Sequence, residues 1–414
     1  MSAAIELGHV VLNDPNLYAH HNFHAYFKRF RAENPVYWST GTLRRGFWSL
    51  FKYDDVMNLC RDVYTFSSQR NGVGLPTSIE EDEGLGNPSN GAVLMTTDPP
   101  FHIAMRKAYR DPFLPRADSS MESRARKLVA EIVDEVLPRG ECDFAVDIAN
   151  RLPMTIICEM MAIPREDWPT MYDWANMAMG HEDPEYQLGS SSETRRAGFG
   201  NLFSYTRKLA FERRGKSGSD LLTMLGNTRI DGQLLSEEQI GHGGMVFVIA
   251  GLETTRNTLA GGMLELIKNP AEMRKLRANR GLVNTAIEEF VRWTTPVTCV
   301  LRTATRDVEI RGKKIREGDR VVAWLASANR DEDAFPNADV FDVARTPNEH
   351  CGFLYGEHFC IGAHLARLQL RVMLEELLER MPDLELAGKV ERLAAVQIGG
   401  IKHMPVRFTP VRLH

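Results

Sequence analysis

The residues best able to do chemistry in this chain lie in the run Phe353-Leu-Tyr-Gly356-Glu-His358-Phe359-Cys360-Ile-Gly362-Ala-His-Leu365-Ala366-Arg367. It reads as a glycine-bearing loop that delivers a cysteine to the start of an amphipathic helix. A thiolate there gains from the positive end of the helix and its unpaired N–H groups, which lower a thiol's pKa. The glycines permit positive φ and close backbone approach. Phe353, seven residues upstream of Cys360, is placed to shield the sulfur from water. Cys142 and Cys158 have no such setting and are expected to be small buried apolar residues. A second candidate is Ala250-Gly251-Leu252-Glu253-Thr254-Thr255-Arg256-Asn257, where an acid stands beside a hydroxyl in an apolar stretch. That juxtaposition is costly unless it is used, and it suits proton relay. Thr254 bonding back to a helix carbonyl is the plainer alternative.

Several elements must position these groups. Ser236 suits an N-cap, Gln239 its reciprocal partner, and Leu235 with Ile240 a hydrophobic staple. The spacing predicts a helix from there to about Ile267, roughly 30 residues or about 45 Å, long enough to cross a domain and form the spine of a buried site. Tertiary burial is expected to override the two glycines Gly261 and Gly262. From about Asp118 to Leu384 the pattern is mostly helical. Arg45–Leu50 reads as a strand, and Val308–Trp324 as short strands turning at Arg311-Gly312-Lys313 and Glu317-Gly318-Asp319. Val396–Phe408 reads as a hairpin around Gly399-Gly400, while Gly189–Arg196 and Gly215–Asp220 read as loops. The expected class is mainly α with small β-sheets (α+β), one domain over residues 1–414.

Composition narrows the function. The chain has 414 residues, 43% hydrophobic and 25% charged, with a net charge of −5. That balance argues against a nucleic-acid binder and against a polybasic membrane anchor. Met1–Tyr18 has no basic patch followed by an apolar core, so no secretory leader is expected. Met245–Leu252 is too short to cross a bilayer. The six cysteines contain no Cys-x-x-Cys pair, which fits a cytoplasmic protein with reduced thiols. Gly215-Lys216-Ser217 lacks the first glycine of a phosphate loop, since Ala210 holds that position, and no dinucleotide fingerprint follows a strand. His20, His21 and His24 cluster without a cysteine nearby and read as a solvated segment.

The setting of Cys360 suits a thiolate ligand to haem iron. Phe353, Gly356, His358, Cys360 and Gly362 meet, residue for residue, the signature Phe-x-x-Gly-x-His-x-Cys-x-Gly, and the chain resembles the cytochrome P450 family through most of its length. Glu289 and Arg292, about 70 residues before the cysteine, match the family's Glu-x-x-Arg. The resemblance implies that they form a structural ion pair with the loop preceding Cys360. It also implies the P450 fold, with the long helix over the haem, and Cys360 as the iron ligand. His102 and Arg106, four apart on one helix face, together with Arg302 and His358, are the implied partners of the haem propionates. Gly251 would leave room for dioxygen, and Glu253 with Thr254 would order the water that protonates it.

The implied reaction is O2-dependent hydroxylation of a hydrophobic small molecule, leaning to a terpenoid, steroid or lipid, on heme b (iron protoporphyrin IX). The chain has no flavin or nicotinamide motif, so electrons would come from a separate ferredoxin and reductase. Arg106, Lys107, Arg110, Arg367 and Arg371 would face that partner. By family position, the substrate would meet Val93–Thr96, Phe247–Gly251, Val297–Val300 and Ile398–Gly399. Two further runs, His181-Glu-Asp-Pro-Glu-Tyr186 and Lys402-His-Met-Pro405-Val, support the lipid-like leaning. A peroxide-driven peroxygenase and a non-catalytic haem sensor or carrier are the alternatives, and the Glu253–Thr254 pair argues against both.

Overall fold

The Ser236 hydroxyl accepts the Gln239 N–H at 3.2 Å, and the Gln239 side chain accepts the Ser236 N–H at 2.9 Å. From this reciprocal cap the central helix runs Glu237–Lys268, 32 residues buried on almost every side. The computed structural model to which it belongs describes residues 6–84, 91–114 and 120–411. Asp118 and the first five residues, both within segments read from sequence, lie outside that description.

The glycines of the central helix persist because neighbouring helices need the space. A Cβ at Gly262 would stand 2.1 Å from the Phe290 ring, and one at Gly261 would stand 2.5 Å from Thr294 Cγ2. Both neighbours belong to the helix Val283–Thr294. At the other end, Gly241 and Gly244 admit Phe203 and Thr206 of the helix Ser191–Glu212 in the same way. Two large apolar clusters meet along this spine. Ile240, Met245, Phe247 and Val248 belong to one; Leu259, Ala260, Met263, Leu264 and Leu266 belong to the other. Residues 250–257 fall between them.

The fold is mainly helical with small sheets, as the sequence implied. The largest sheet has the strand order Val36–Ser39, Phe47–Leu50, Arg320–Ala323, Val300–Ala304, Phe66–Ser67. Its Arg320–Ala323/Phe47–Leu50 pairing is parallel and its other pairings are antiparallel. Strands Val308–Ile310 and Lys313–Ile315 form the expected hairpin, turning through Arg311 and Gly312, whose φ values are +48° and +75°.

Two expectations fail. Gly189–Arg196 is not a loop, because the helix Ser191–Glu212 starts within it, capped reciprocally by Ser190 and Glu193. Val396–Phe408 is not a hairpin on Gly399-Gly400. Ile398 instead bridges Val297, Ile401–His403 pairs with Glu391–Arg392, and Pro405–Arg407 lies between Glu385–Leu386 and Glu141–Asp143. Distant strands satisfy the backbone that a local hairpin would otherwise have paired. No helix among the described residues is long and apolar enough to cross a membrane.

Candidate active site

The cysteine loop is built by its backbone. Leu354 and Gly356 both take positive φ, +59° and +67°, and a Cβ at Gly356 would stand 3.1 Å from the Cys60 carbonyl. Glycine is therefore demanded there by close approach as well as by conformation. The Cys360 N–H donates to the Phe353 carbonyl at 2.8 Å, and the helix Ala363–Arg380 starts three residues later. Phe353 is half-buried, with the Arg367 guanidinium 4.4 Å from its ring centroid. Of the six free cysteines, Cys360 alone is exposed, and the other five, including Cys142 and Cys158, are buried. Surrounding protein still pushes the Cys360 thiol up, and the Gly362 N–H, Arg106 and Arg367 pull it down without prevailing. The lowered thiol pKa expected from sequence is corrected by this balance. A thiolate here needs a cation against the sulfur, and a coordinated metal ion supplies one.

Beside the loop lies a cluster of cationic and imidazole groups. His102 and Arg106 share a face of the helix Phe101–Tyr109. The His102 ring is completely buried, both of its nitrogens lack a partner, and its centroid lies 4.2 Å from that of His358. His358 is buried, with Nε2 3.1 Å from the Ser68 hydroxyl. Arg302 is 2% exposed and bonds the Leu301 carbonyl at 2.8 Å. Burial first, and then the neighbouring cations, lower His102 to about 4 and His358 to about 2. Burial likewise lowers Arg302 and Arg106. Among the described residues neither arginine has a carboxylate in salt-bridge contact. Buried donors of this kind require acceptors, and two carboxylates brought by a ligand would satisfy them. This donor set fits the propionates of a haem, as Cys360 fits its iron.

Opposite stands the central helix. Ala250 is exposed in the middle of it, flanked on one stripe by half-buried Val246 and Thr254. The Thr254 hydroxyl donates to the Ala250 carbonyl at 2.9 Å, so its lone pairs remain free to accept. A Cβ at Gly251 would stand 3.0 Å from Ile157 Cγ1, so this glycine has a packing reason that the sequence did not reveal.

Glu253 is 1% exposed and forms an ion pair with Arg256, Oε2 to Nη2 at 2.7 Å, in which each side chain is 2% exposed. Burial raises the Glu253 carboxyl and Arg256 opposes the rise. Arg256 also reaches the Tyr172 hydroxyl at 3.2 Å and Asn176 Oδ1 at 3.4 Å. Sequence reasoning missed Arg256 as the partner, although its i, i+3 spacing from Glu253 was the available signal.

The other expected groupings come together in part. Glu289 and Arg292 are wholly buried and bidentate, with both contacts at 2.7 Å. Arg292 donates to the carbonyls of Asn329 and Ala338, and Glu289 accepts from Arg345, Asn348 and the Asp342 N–H. The pair thus organises the chain leading to Cys360. Pro296–Thr298 and Val396–Gly399 are tied by the Thr298–Gln397 and Gly399–Pro296 backbone bonds. The expected cationic patch is thinner than its sequence suggests. Arg110 pairs with Asp111, Arg367 with Glu288 and Arg371 with Glu122, which leaves Arg106 and exposed Lys107.

Comparison with known proteins agrees with this geometry. Residues 201–385 match the family model described as Cytochrome P450. Linalool 8-monooxygenase of Pseudomonas putida is 34% identical over 96% of this chain and 98% of its own length. Steroid C26-monooxygenase of Mycobacterium tuberculosis is 34% identical over 96% of this chain and 92% of its own. A Mycobacterium marinum cytochrome P450, solved in complex with pseudoionone, superposes with a TM-score of 0.87 at 32% identity, covering 95% of this chain and 97% of its own. With full-length relatives of this kind, the chain belongs to the cytochrome P450 family and is a haem-dependent monooxygenase.

Proposed function

We propose that residues 1–414 act as one haem domain that holds heme b and hydroxylates a branched, largely hydrocarbon substrate of terpenoid, steroid or lipid kind, with electrons from a ferredoxin and its reductase. The observation that carries this reading is the cluster of buried His102, Arg302 and His358 with half-buried Arg106 beside Cys360, in which both His102 nitrogens lack a partner and neither arginine meets a carboxylate among the described residues, a setting that suits two propionates next to a thiolate ligand. Cys360 would ligate the iron, with Phe353 and the Arg367 guanidinium screening the sulfur. When bound, haem supplies activation of O2 with thiolate donation favouring O–O cleavage.

The remaining work falls to the chain. Thr254, its hydroxyl donated to the Ala250 carbonyl, would offer its oxygen to the cleft as an acceptor for a water. Glu253, held by Arg256 and with its carboxyl raised by burial, would relay the proton by exchanging Arg256 for water on the Thr254 side. Gly251 would leave room for dioxygen. Half-buried Leu94, Val246 and Ile249 offer apolar walls that exclude water and bind by burial. The linalool, steroid and pseudoionone relatives support the substrate class. Six unpaired cysteines suit the reducing cytoplasm.

A screen of terpenes, sterols and fatty acids by the substrate-induced spin shift, followed by turnover with NAD(P)H, surrogate ferredoxin and reductase, tests the proposal. Hydroxylated product with reductant and little with peroxide alone is expected. Efficient peroxide-only turnover, or no oxidation of any ligand that binds, overturns it.

A further inference from the structure

The turn His181-Glu182-Asp183-Pro184-Glu185-Tyr186 divides its side chains between two neighbours. Asp183 and Glu185 face the C-terminal strands, each 2.9 Å from Lys402 Nζ, and Glu185 also lies 2.9 Å from His403 Nε2. His181 and Glu182 face the other way, into a cavity of about 80 Å³ walled also by Thr77, Glu81, Arg195, Arg320 and Val396. There Glu81, from the short helix Ile79–Gly84, joins them. One carboxylate oxygen from each glutamate and one imidazole nitrogen lie within 4.8 Å of one another.

Each donor is prepared. His181 Nδ1 stands 3.1 Å from the Ala178 carbonyl, an acceptor only, which places the proton on Nδ1 and leaves a lone pair on Nε2. That Nε2 is buried and has no partner. Orientation of a histidine through its other nitrogen is the usual second layer of a metal ligand. Glu182 receives the Val396 N–H on Oε2 at 3.3 Å, whereas its Oε1 is buried and unpartnered. The two orphan atoms do not bond each other. Glu81 takes the Thr77 N–H and hydroxyl on Oε2, at 2.8 and 3.0 Å, and faces Arg195 at 3.2 Å through Oε1. A carboxylate offers about four lone-pair sites, so Glu81 keeps coordinating capacity. Arg195 pairs with Glu81 and Arg320 with Asp82, so among the described residues Glu182 has no guanidinium in salt-bridge contact.

We propose that Glu81, His181 and Glu182 bind one divalent transition-metal ion, best matched by zinc with water completing four-coordination, and that this ion ties the Ile79–Gly84 helix to the turn after the helix Trp168–Met179. Imidazole with carboxylate suits zinc, and two carboxylates balance its charge. The site is independent of the haem chemistry and joins segments about 100 residues apart in sequence.

The experiment takes EDTA-treated, dialysed holoenzyme, titrates it with zinc chloride in equilibrium dialysis, and counts metal by elemental analysis alongside thermal melts. Wild type should retain one zinc per chain beyond the haem iron and melt at higher temperature with zinc. His181→Ala and Glu182→Gln should each weaken binding at least tenfold and abolish the thermal shift, with haem content unchanged as proof of folding. His20→Ala, at an exposed histidine outside the site, should bind as wild type does. Absence of stoichiometric zinc in wild type, or unchanged affinity in both site variants, overturns the proposal. Zinc bound without a thermal shift overturns its tying role.

Discussion

Cys360 and Thr254 are ordinary residue types whose surroundings make them consequential. Cys360→Ser keeps the size and the Phe353 backbone bond but offers no soft anion, so the reduced CO-bound protein should lose the red-shifted Soret band of thiolate-ligated haem. Cys351→Ser should keep that band, because Cys351 is buried and its sulfur lies 3.1 Å from Asn329 Oδ1. Optical spectra of the two variants check both statements. Thr254→Ala removes the accepting hydroxyl, so reductant consumption should continue while product per electron falls and peroxide accumulates. Glu253→Gln retains hydrogen bonding to Arg256 but carries no ionisable proton, so turnover should slow with little change in the substrate spin shift. Even a tenfold slowing corresponds to about 1.4 kcal/mol, well within kinetic resolution. The sequence made these positions visible because the signature is local. The i, i+3 spacing of Arg256 was visible too, but only the fold shows that Tyr172 and Asn176 close around that guanidinium and make Glu253 half of a buried pair.

At the scale of elements, the Val283–Thr294 helix illustrates how an ion pair can organise a loop. Glu289→Ala leaves Arg292 buried without a counter-charge and frees Arg345, Asn348 and the Asp342 N–H. Breaking such a pair costs about 3–5 kcal/mol. Chemical denaturation should show at least that loss, or the variant should yield no haem-loaded protein; a fully loaded variant of wild-type stability contradicts this role. The reciprocal cap at Ser236 was legible because it spans four residues and needs no distant partner. The equivalent cap at Ser190 carried the same signal, yet the surrounding glycine, serine and arginine residues read as loop composition. The glycine pair at Gly399-Gly400 misled for the opposite reason. A local turn motif lost to long-range partners, with Val297 taking Ile398 and Glu391–Arg392 taking Ile401–His403. Gly251, read for the space it leaves, is also fitted to Ile157 on a neighbouring helix, a contact no sequence window contains.

Across the whole molecule, the C-terminal strands and the Asp183–Glu185 turn are clasped through Lys402 and His403. Burial lowers the His403 pKa, but hydrogen bonds to Asp143 at 2.6 Å and Glu185 at 2.9 Å outweigh it, so the net shift is upward. A histidine raised in the folded state contributes stability that is complete below its unfolded value of about 6.5 and is lost as pH rises through the folded value. The melting-temperature difference between wild type and His403→Gln should therefore be largest at mildly acidic pH and vanish at alkaline pH. A difference independent of pH would remove the charge from the clasp. The central helix unites a larger span, for its first half packs in one apolar cluster and its second half in the other. Glu253, Thr254 and Arg256 sit at the junction, where loosening of either cluster is resisted by the other. The backbone amides of residues 252–258 should then exchange with deuterium only through complete unfolding, at the slowest rate in the protein, so the segment proposed to relay a proton would also be the last to open to solvent.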